Sequence, residues 1–198
     1  LPHSWNAIDG QDGDNDFYRG TCYYAKQFMK ASLPTADRYY LEIKGANSSA
    51  DVYVNGKKLA HHDGGYSTWR VDITEALDVN NLLVIAVDNQ ANEVVYPQMA
   101  DFTFYGGIYR DVNLIFVPKA HFDLDFFGGP GVQVTPVVDG TKANVNVIGY
   151  FSGLSGNETV KYVIKDGTAV VCEKEVAAQD GKADFTIENV HLWNGRKD

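Results

Sequence analysis

Cysteine is scarce in this chain of 198 residues, which contains only Cys22 and Cys172. Small domains stabilised by disulfides use several closely spaced cysteine pairs. These two cysteines lie far apart, and we expect them to be free thiols in separate domains. Apolar residues make up 44% of the chain, which is enough for one large core or two ordinary ones.

Basic residues are outnumbered, since 17 lysines and arginines against 26 aspartates and glutamates give a net charge of −9. No basic stripe offsets this balance, so nucleic acid and anionic membrane are poor partners. Long apolar runs are also missing, and none approaches the roughly 20 residues that cross a bilayer. There is no signal peptide and no initiator methionine, and Leu1-Pro-His-Ser-Trp5 is typical of the interior of a domain. We therefore expect a fragment of a longer protein and leave its compartment open.

Helical periodicity is also missing from the sequence. The chain instead shows short runs rich in Val, Ile, Tyr and Phe, bounded by turn residues, which predict β-strands. In the first part of the chain these runs are 22–30, 38–44, 50–54, 57–60, 68–73, 82–88 and 108–117. Without helices between the strands a parallel α/β sheet is excluded, so the predicted fold class is all-β. Asn55-Gly56 predicts a type I′ hairpin, and Thr74 is the candidate cap of a single helical turn.

Pro118 follows a strand-like run and removes a donor from the sheet ladder, which predicts a domain boundary at residues 117–120. The later runs are 121–127, 132–138, 143–150, 159–165, 169–176 and 183–187, with a hairpin signal at Asp166-Gly167. Six such runs, against about seven strands in the complete fold, indicate an immunoglobulin-like sandwich without its last strand. The prediction is one domain over 1–117 and a truncated immunoglobulin-like domain over 118–198. Its unpaired edge favours self-association into a homo-oligomer.

Two stretches resemble metal sites at first sight. The acidic loop 9–16 departs from the calcium-binding loop pattern, because Phe17 stands where that pattern has glycine and Tyr23 where it has glutamate. We interpret it as a solvated loop. His61 and His62 are neighbours in a strand-like run and should point to opposite faces, so we expect a structural or surface role for them.

The most informative stretch is Asp101-Phe-Thr-Phe-Tyr-Gly-Gly-Ile-Tyr-Arg-Asp-Val112. It sets one carboxylate among aromatic side chains and then passes through Gly106-Gly107 into an alternating strand. Glycine allows a positive φ or a close approach of the backbone to another group. The chemistry alone predicts a strand-entry loop that presents a carboxylate and flat apolar faces, which is a common way to hold a sugar.

This stretch resembles the signature of the N-terminal, sugar-binding domain of family-two glycoside hydrolases, most of all the β-galactosidases. Other segments agree in the expected order and extend the resemblance over nearly the whole chain. They are Leu1-Pro-His-Ser-Trp5, Phe17-Tyr-Arg-Gly20, Val52-Tyr-Val-Asn-Gly56, Gly64-Gly-Tyr-Ser67, Asp72-Ile-Thr74, Val87-Asp-Asn89 and Asn189-Val-His-Leu-Trp193.

The resemblance implies a fold and a set of binding residues. The fold is a sugar-binding jelly roll followed by an immunoglobulin-like sandwich. Asp101 is implied to reach into a neighbouring barrel domain, where it touches galactose and helps to hold a monovalent cation, sodium. The acidic loop is implied to add a polar contact, for which Asn15 and Asp16 are the candidates. The chain itself needs no cofactor, whereas the parent enzyme, bacterial and cytoplasmic or periplasmic, would use sodium and magnesium.

The catalytic machinery is not expected in this chain. In the resembled family the two catalytic glutamates lie in a (β/α)₈ barrel, a domain of about 250 residues that nothing here can form. The expected partners are therefore this absent barrel and, in the parent, a terminal β-galactoside. Three alternatives remain: the same region of a β-glucuronidase or β-mannosidase, a stand-alone carbohydrate-binding module, and a purely structural pair of adhesion-type sandwiches.

Overall fold

The computed structural model describes residues 1–9, 18–96, 103–193 and 195–197. The fold is all-β, as the sequence predicted, and helical geometry is limited to single 3₁₀ turns among these residues. The chain divides into two compact units, Leu1–Pro118 and Lys119–Asp198, each with its own core. Cys22 lies in the first unit and Cys172 in the second, and both are free thiols. The described part of the chain contains no helix long and apolar enough to span a membrane.

The first unit is built from two antiparallel sheets. Its strands are β1 Thr21–Met29, β2 Arg38–Ile43, β3 Ser49–Val54, β4 Lys57–Asp63, β5 Trp69–Asp72, β6 Asn80–Asp88 and β7 Val112–Val117. One sheet has the order β1-β6-β3-β4, and the other has the order β5-β2-β7. Alternation decides which side chains face inward: Val52 on β3 lies opposite Ile85 on β6, and both are buried. Leu41 and Ile43 of β2 complete the core from the second sheet and are fully buried.

The local signals of the first unit are mostly confirmed, with shifts of a few residues at strand ends. Asn55 (φ 53°) and Gly56 (φ 81°) have the positive φ values of the predicted hairpin turn between β3 and β4. The prediction that Thr74 caps a helical turn is wrong in detail, because Thr74 is the first residue of the 3₁₀ turn Thr74–Ala76. The carboxylate of Asp72 accepts the Thr74 backbone N–H (2.9 Å) and so takes the capping role.

The second unit contains β8 His121–Phe122, β9 Val132–Asp139, β10 Lys142–Gly149, β11 Phe151–Ser152, β12 Thr159–Asp166, β13 Ala169–Ala177 and β14 Lys182–Ile187. Its pairings are β14-β10-β9, β12-β13 and β11-β8. The strand predicted over 121–127 ends at Phe122, since the Gly129 N–H bonds to the Phe126 carbonyl oxygen (2.8 Å) and closes a turn in which Phe127 has φ 49°. The hairpin predicted at Asp166-Gly167 joins β12 to β13.

Candidate functional site at the loop end of the first unit

A buried asparagine ties together the segments at one end of the first unit. Asn6 is fully buried, and its Oδ1 accepts the backbone N–H of Gly106 at 2.7 Å. Its amide nitrogen donates to Oδ2 of Asp9 (2.8 Å) and to the carbonyl oxygen of Tyr18 (3.0 Å). We call this set of bonds the Asn6 clamp. It holds the residues on both sides of 10–17 to the segment that follows 97–102.

Asn89 directly follows β6 and is also fully buried. It binds Asn6 and the Tyr18 carbonyl oxygen, which are both part of the Asn6 clamp. Its Oδ1 accepts the Gly20 N–H (2.8 Å), and its Nδ2 donates to the Tyr18 carbonyl oxygen (3.0 Å) and to Asn6 Oδ1 (3.3 Å). Asparagine suits this position because one side chain supplies an acceptor to the Gly20 N–H and donors to the Tyr18 carbonyl oxygen and to Asn6 Oδ1.

The two glycines of the signature stretch are required for different reasons. A Cβ on Gly106 would collide with the indole ring of Trp5 and lie 2.7 Å from Asn89 Nδ2. Gly107 has φ +120°, and a Cβ there would lie 2.6 Å from the His3 carbonyl oxygen. The sequence offered close approach and positive φ as alternatives for this pair: Gly106 is required by close approach alone, and Gly107 by both.

Aromatic side chains form a layer beside the clamp. The rings of Tyr66 and Tyr96 stack with centroids 5.0 Å apart, and Tyr96 lies 6.3 Å from Phe104. The Tyr96 hydroxyl donates to Oδ1 of Asn47 at 2.8 Å. Burial, followed by the interaction with Tyr66, raises the pKa of Tyr96. Phe104 is buried whereas Tyr66 is 54% exposed, so part of this layer is packing and part is an accessible aromatic surface.

The predicted binding residues Asp101, Asn15 and Asp16 lie outside the described residues. The described residues Asp9 and Tyr18, on either side of 10–17, and Gly106, which follows 97–102, are brought together by the Asn6 clamp at one end of the unit. Asp9, the described acid of the polar loop, accepts the Tyr18 N–H (2.9 Å) besides the Asn6 amide. These two bonds, the backbone one first, lower its pKa. Asp9 is thus a structural carboxylate at the base of the loop.

A second polar cluster lies on the outer face of the four-stranded sheet. His61 stands between two carboxylates, with Nδ1 2.6 Å from Asp51 Oδ1 and Nε2 3.0 Å from Asp63 Oδ2. The cluster lines a cavity of about 570 Å³. His62 faces the other way and stacks on Trp69 (4.8 Å), so the two histidines point to opposite faces as predicted. The His61 ring fills the space between the two carboxylates, and in the described chain no group of three or more His, Cys, Asp or Glu side chains is arranged to hold a metal ion.

This cluster predicts a pH dependence of stability. The hydrogen bond to Asp51 is the largest effect and, with Asp63, raises the pKa of His61 above its ordinary value of 6.5. Folding therefore favours the protonated ring, so its contribution is complete below about pH 6.5 and is lost as pH rises through the folded pKa. Lys58 binds Asp51 from the same strand as His61 (2.7 Å), and Asp88 and Glu93 also line the cavity.

We expect the stability of the chain to exceed that of the His61→Gln variant at pH 5.5 and the difference to shrink by pH 8.5. Thermal denaturation across this range is the measurement. His121→Gln, which changes a histidine of the second unit, is the control for removing a histidine outside this cluster. A constant difference between chain and His61→Gln across the range would contradict the assignment of the raised pKa to this cluster.

Sequence reasoning did not assign roles to Asn6, Asn89 and Asn47. Asn89 lies in one of the segments that carry the family resemblance, Val87-Asp-Asn89. Asn47 is buried, and its side chain binds Tyr96 and the Tyr105 carbonyl oxygen (2.9 Å), so it is a structural residue of the loop end. The available signal was the position of Asn6 directly after Trp5 and of Asn89 directly after β6, whereas Asn47 follows Ala46 and gives no such signal.

The first unit thus belongs to the class of β-sandwich modules that gather a polar clamp and accessible aromatic surfaces at one loop end. A family model described as "Glycosyl hydrolase 2 galactose-binding domain-like" matches residues 15–133. The chain belongs to this family.

The relatives include β-glucuronidases and β-galactosidases. The chain is 33% identical to a β-glucuronidase of Bacteroides fragilis over 100% of its own length and 30% of that protein's. It is 28% identical to a β-galactosidase of Thermoanaerobacter pseudethanolicus, over 89% of the chain and 24% of the relative. Among solved structures, an FMN-binding β-glucuronidase from Facaelibacterium prausnitzii L2-6 matches with a TM-score of 0.89 and 40% identity, over 98% of this chain and 31% of that one. The chain spans about a third or less of the length of these relatives.

Proposed function

We propose that this chain is the N-terminal, carbohydrate-binding portion of a retaining glycosidase that removes terminal β-linked sugars. The family match carries this proposal, and the Asn6 clamp supports it. A clamp of this kind sets the bases of two loops rigidly at one end of a sandwich, where they can reach into the active site of a neighbouring domain. In the proposed parent, residues of this chain bind and orient the sugar, and the chemical step belongs to a barrel domain.

Two described glutamates, Glu42 and Glu158, have structural partners, which agrees with a non-catalytic role for them. Retention requires two carboxyl groups about 5 to 5.5 Å apart, one as acid/base and one as nucleophile. Glu42 is held by Arg70 (2.7 Å) and Asn113 (3.0 Å), and burial opposes its ionisation while these bonds outweigh burial and lower its pKa. Glu158 is held by Ser155 and backbone N–H groups, which lower its pKa to about 2. Both groups serve local structure.

Asp101 is the residue we propose for sugar contact. An ionised carboxylate accepts two hydroxyl hydrogen bonds and is a hard oxygen ligand, which suits both a sugar and a sodium ion whose other ligands come from the barrel. Asn15 and Asp16 are proposed as further polar contacts from the other loop. Magnesium in the parent is assigned to no residue of this chain.

The substrate is proposed in two forms. The signature stretch favours a terminal β-galactoside, whereas the relatives with the higher identities given above are β-glucuronidases, which favours a terminal β-glucuronide. Hydrolysis of nitrophenyl β-galactoside and nitrophenyl β-glucuronide by the parent protein, compared by kcat/KM, separates the two. Turnover of neither substrate would contradict the proposed function.

Asp101→Asn in the parent should keep the shape of the side chain and remove its charge. Loss of a hydrogen bond to a charged group costs roughly 1.5 to 3 kcal/mol, which corresponds to about one to two decades in kcat/KM. Steady-state kinetics on the preferred nitrophenyl glycoside measure the effect. Asp111→Asn, ten positions along the signature and bound to Lys44 at the surface (3.4 Å), is the matched control. Full activity of Asp101→Asn would make Asp101 structural.

The competing function is that of a stand-alone carbohydrate-binding module. Activity and binding measurements on the isolated chain distinguish it from the proposed function. On our proposal the chain alone releases no nitrophenol from either substrate and shows no affinity for lactose or glucuronic acid in calorimetry. Measurable affinity without activity would favour the module. Activity lost on mutation of a residue in this chain would overturn both functions.

A further inference from the structure

Residues 90–96 lead from β6 toward the loop end of the first unit and turn one polar side chain inward. Asn92 is half-buried, whereas Val94, two positions along, is 73% exposed. Asn92 Nδ2 donates to Ser49 Oγ at 3.0 Å and to Asp63 Oδ1 at 3.2 Å. Its Oδ1 accepts the backbone N–H of Val94 at 2.9 Å, so the same side chain also shapes the turn of its own segment.

The two residues that Asn92 binds are held by the four-stranded sheet. Ser49 begins β3 and Asp63 ends β4, and the two are cross-strand partners. Ser49 Oγ donates to Asp63 Oδ1 at 2.6 Å, and the other carboxylate oxygen of Asp63 lies 3.0 Å from His61 Nε2. Asn92 therefore attaches its segment to a pair of side chains that the sheet and His61 already fix in place.

Tyr96 attaches the far end of the segment next to the same two strand ends. Its hydroxyl donates at 2.8 Å to Oδ1 of Asn47, which lies two residues before β3. Its ring stacks on that of Tyr66, three residues after β4, with the ring planes 21° apart. A segment that is attached at Asn92 as well as at Tyr96 cannot swing about either point, so the direction of the Tyr96 ring depends on both attachments.

Tyr66 supplies the accessible ring of this aromatic layer, since about half of its surface is exposed. Its backbone is held by Arg110, whose Nη1 donates to the Tyr66 carbonyl oxygen at 3.1 Å. Its ring meets the ring of Tyr109 edge to face, with centroids 6.3 Å apart, and has the Tyr96 ring stacked beside it. The orientation of the exposed Tyr66 ring therefore depends on Tyr96.

We propose that Asn92 is a positioning residue: by binding Ser49 and Asp63 it holds the Tyr96 ring against Tyr66 and so fixes the accessible aromatic surface on which a sugar stacks. Ligand sites commonly combine aromatic surface with a few polar groups, and this surface lies beside the Asn6 clamp. Sugar contact at this surface rests on the proposed function, whereas the hold of Asn92 on Tyr96 does not.

Tyrosine ring signals in nuclear magnetic resonance spectra of the chain test this hold. With isotope-labelled tyrosine, Asn92→Ala should shift the signals of Tyr96 and Tyr66 and leave those of Tyr162, in the core of the second unit, unchanged. Val94→Ala is the matched control, because this exposed residue keeps its backbone bond to Asn92, and it should leave all three unchanged. Signals of Tyr96 and Tyr66 that stay in place in Asn92→Ala overturn the proposal.

Steady-state kinetics of the parent test the effect on the sugar. Asn92→Ala should raise KM for the preferred nitrophenyl glycoside about three- to tenfold and leave kcat within about twofold, because the surface binds substrate and transition state alike. A mere loss of folded protein would lower the rate without moving KM. Ser49→Ala, which removes the acceptor at 3.0 Å, should reproduce part of the KM effect, and the double variant should add little to Asn92→Ala.

The outcomes separate this inference from the function on which its second part rests. An unchanged KM of Asn92→Ala in an active parent overturns the proposal, and so does a KM effect of Val94→Ala as large as that of Asn92→Ala. Turnover of neither nitrophenyl substrate by the unmodified parent contradicts the proposed function instead, and the ring signals of the chain then still decide whether Asn92 holds Tyr96.

Discussion

Gly107→Ala is expected to destabilise the first unit by about 2–5 kcal/mol. Part of this cost is conformational, because Gly107 has φ +120°, which side-chain-bearing residues rarely adopt. The larger part is steric, since the new Cβ would lie 2.6 Å from the His3 carbonyl oxygen and 2.8 Å from the Tyr24 hydroxyl. The His3 N–H also bonds to the Ile108 carbonyl oxygen (2.7 Å), so the backbone on both sides of the clash is held in place and cannot move away cheaply.

Gly56→Ala isolates the conformational part. Gly56 also has a positive φ (+81°), but a Cβ there would have no neighbour within 4 Å. We expect a cost of about 1–2 kcal/mol for this variant. Hydrogen exchange of core amides in the first unit, such as that of Val52, reports the stability of this unit separately from the second. Equal losses of stability in the two variants would show that the segment around His3 moves away from the new Cβ, and that the close approach at Gly107 adds nothing to the cost.

Asn6→Ala is expected to cost about 2–4 kcal/mol, because it removes the acceptor of the Gly106 N–H and leaves a cavity at a fully buried position. Asp9 and the Tyr18 carbonyl oxygen lose a donor at the same time. Asn80→Ala is the matched control, since Asn80 is an exposed asparagine in the same unit and should change stability by less than about 0.5 kcal/mol. The same exchange measurement applies to both variants.

Asn6→Asp sharpens the test of the clamp. The variant keeps an acceptor for the Gly106 N–H. It replaces the amide nitrogen that donates to Asp9 Oδ2 (2.8 Å) with a carboxylate oxygen, so that two carboxylates face each other. Two carboxylates at this separation repel each other when both are ionised, so the variant should be strongly destabilised at pH 7 and recover below about pH 4. If Asn6→Ala proves as harmless as Asn80→Ala, the clamp does not hold the loop end.

The sequence predicted the strands but not some of the individual hydrogen bonds and turns. Enrichment in Val, Ile, Tyr and Phe between turn residues identified runs such as 38–44 and 82–88, because each residue of such a run adds to the signal. The capping role that passed from Thr74 to Asp72 was missed because both residue types accept hydrogen bonds from the backbone, and only the geometry of the turn decides between them. The turn at Phe127 was missed because an apolar residue with positive φ gives no compositional sign.

The site was predictable in part for a related physical reason. Gly106-Gly107 could be singled out, since glycine itself reports a demand on the backbone. The partnership of Asn6 with Asn89 and Gly106 joins residues 83 and 100 positions apart, and no local pattern indicates such a pairing. From its residue type alone, an asparagine is predicted to lie in a turn. Its role as a buried hydrogen-bonding residue depends on contacts that form only in the folded protein.

The Asn6 clamp has a consequence for engineering. It anchors the two loops through groups outside them, namely backbone atoms of Tyr18 and Gly106 and the side chain of Asp9. No side chain of 10–17 or 97–102 takes part in the bonds of the clamp, so we expect that these two segments, called the loop cassettes, can be exchanged without removing it. Loops of other lengths and compositions taken from relatives can be grafted between the same anchor points without redesigning the sandwich. Transplanting both cassettes together, with the clamp left intact, is therefore the practical unit for altering what this module recognises.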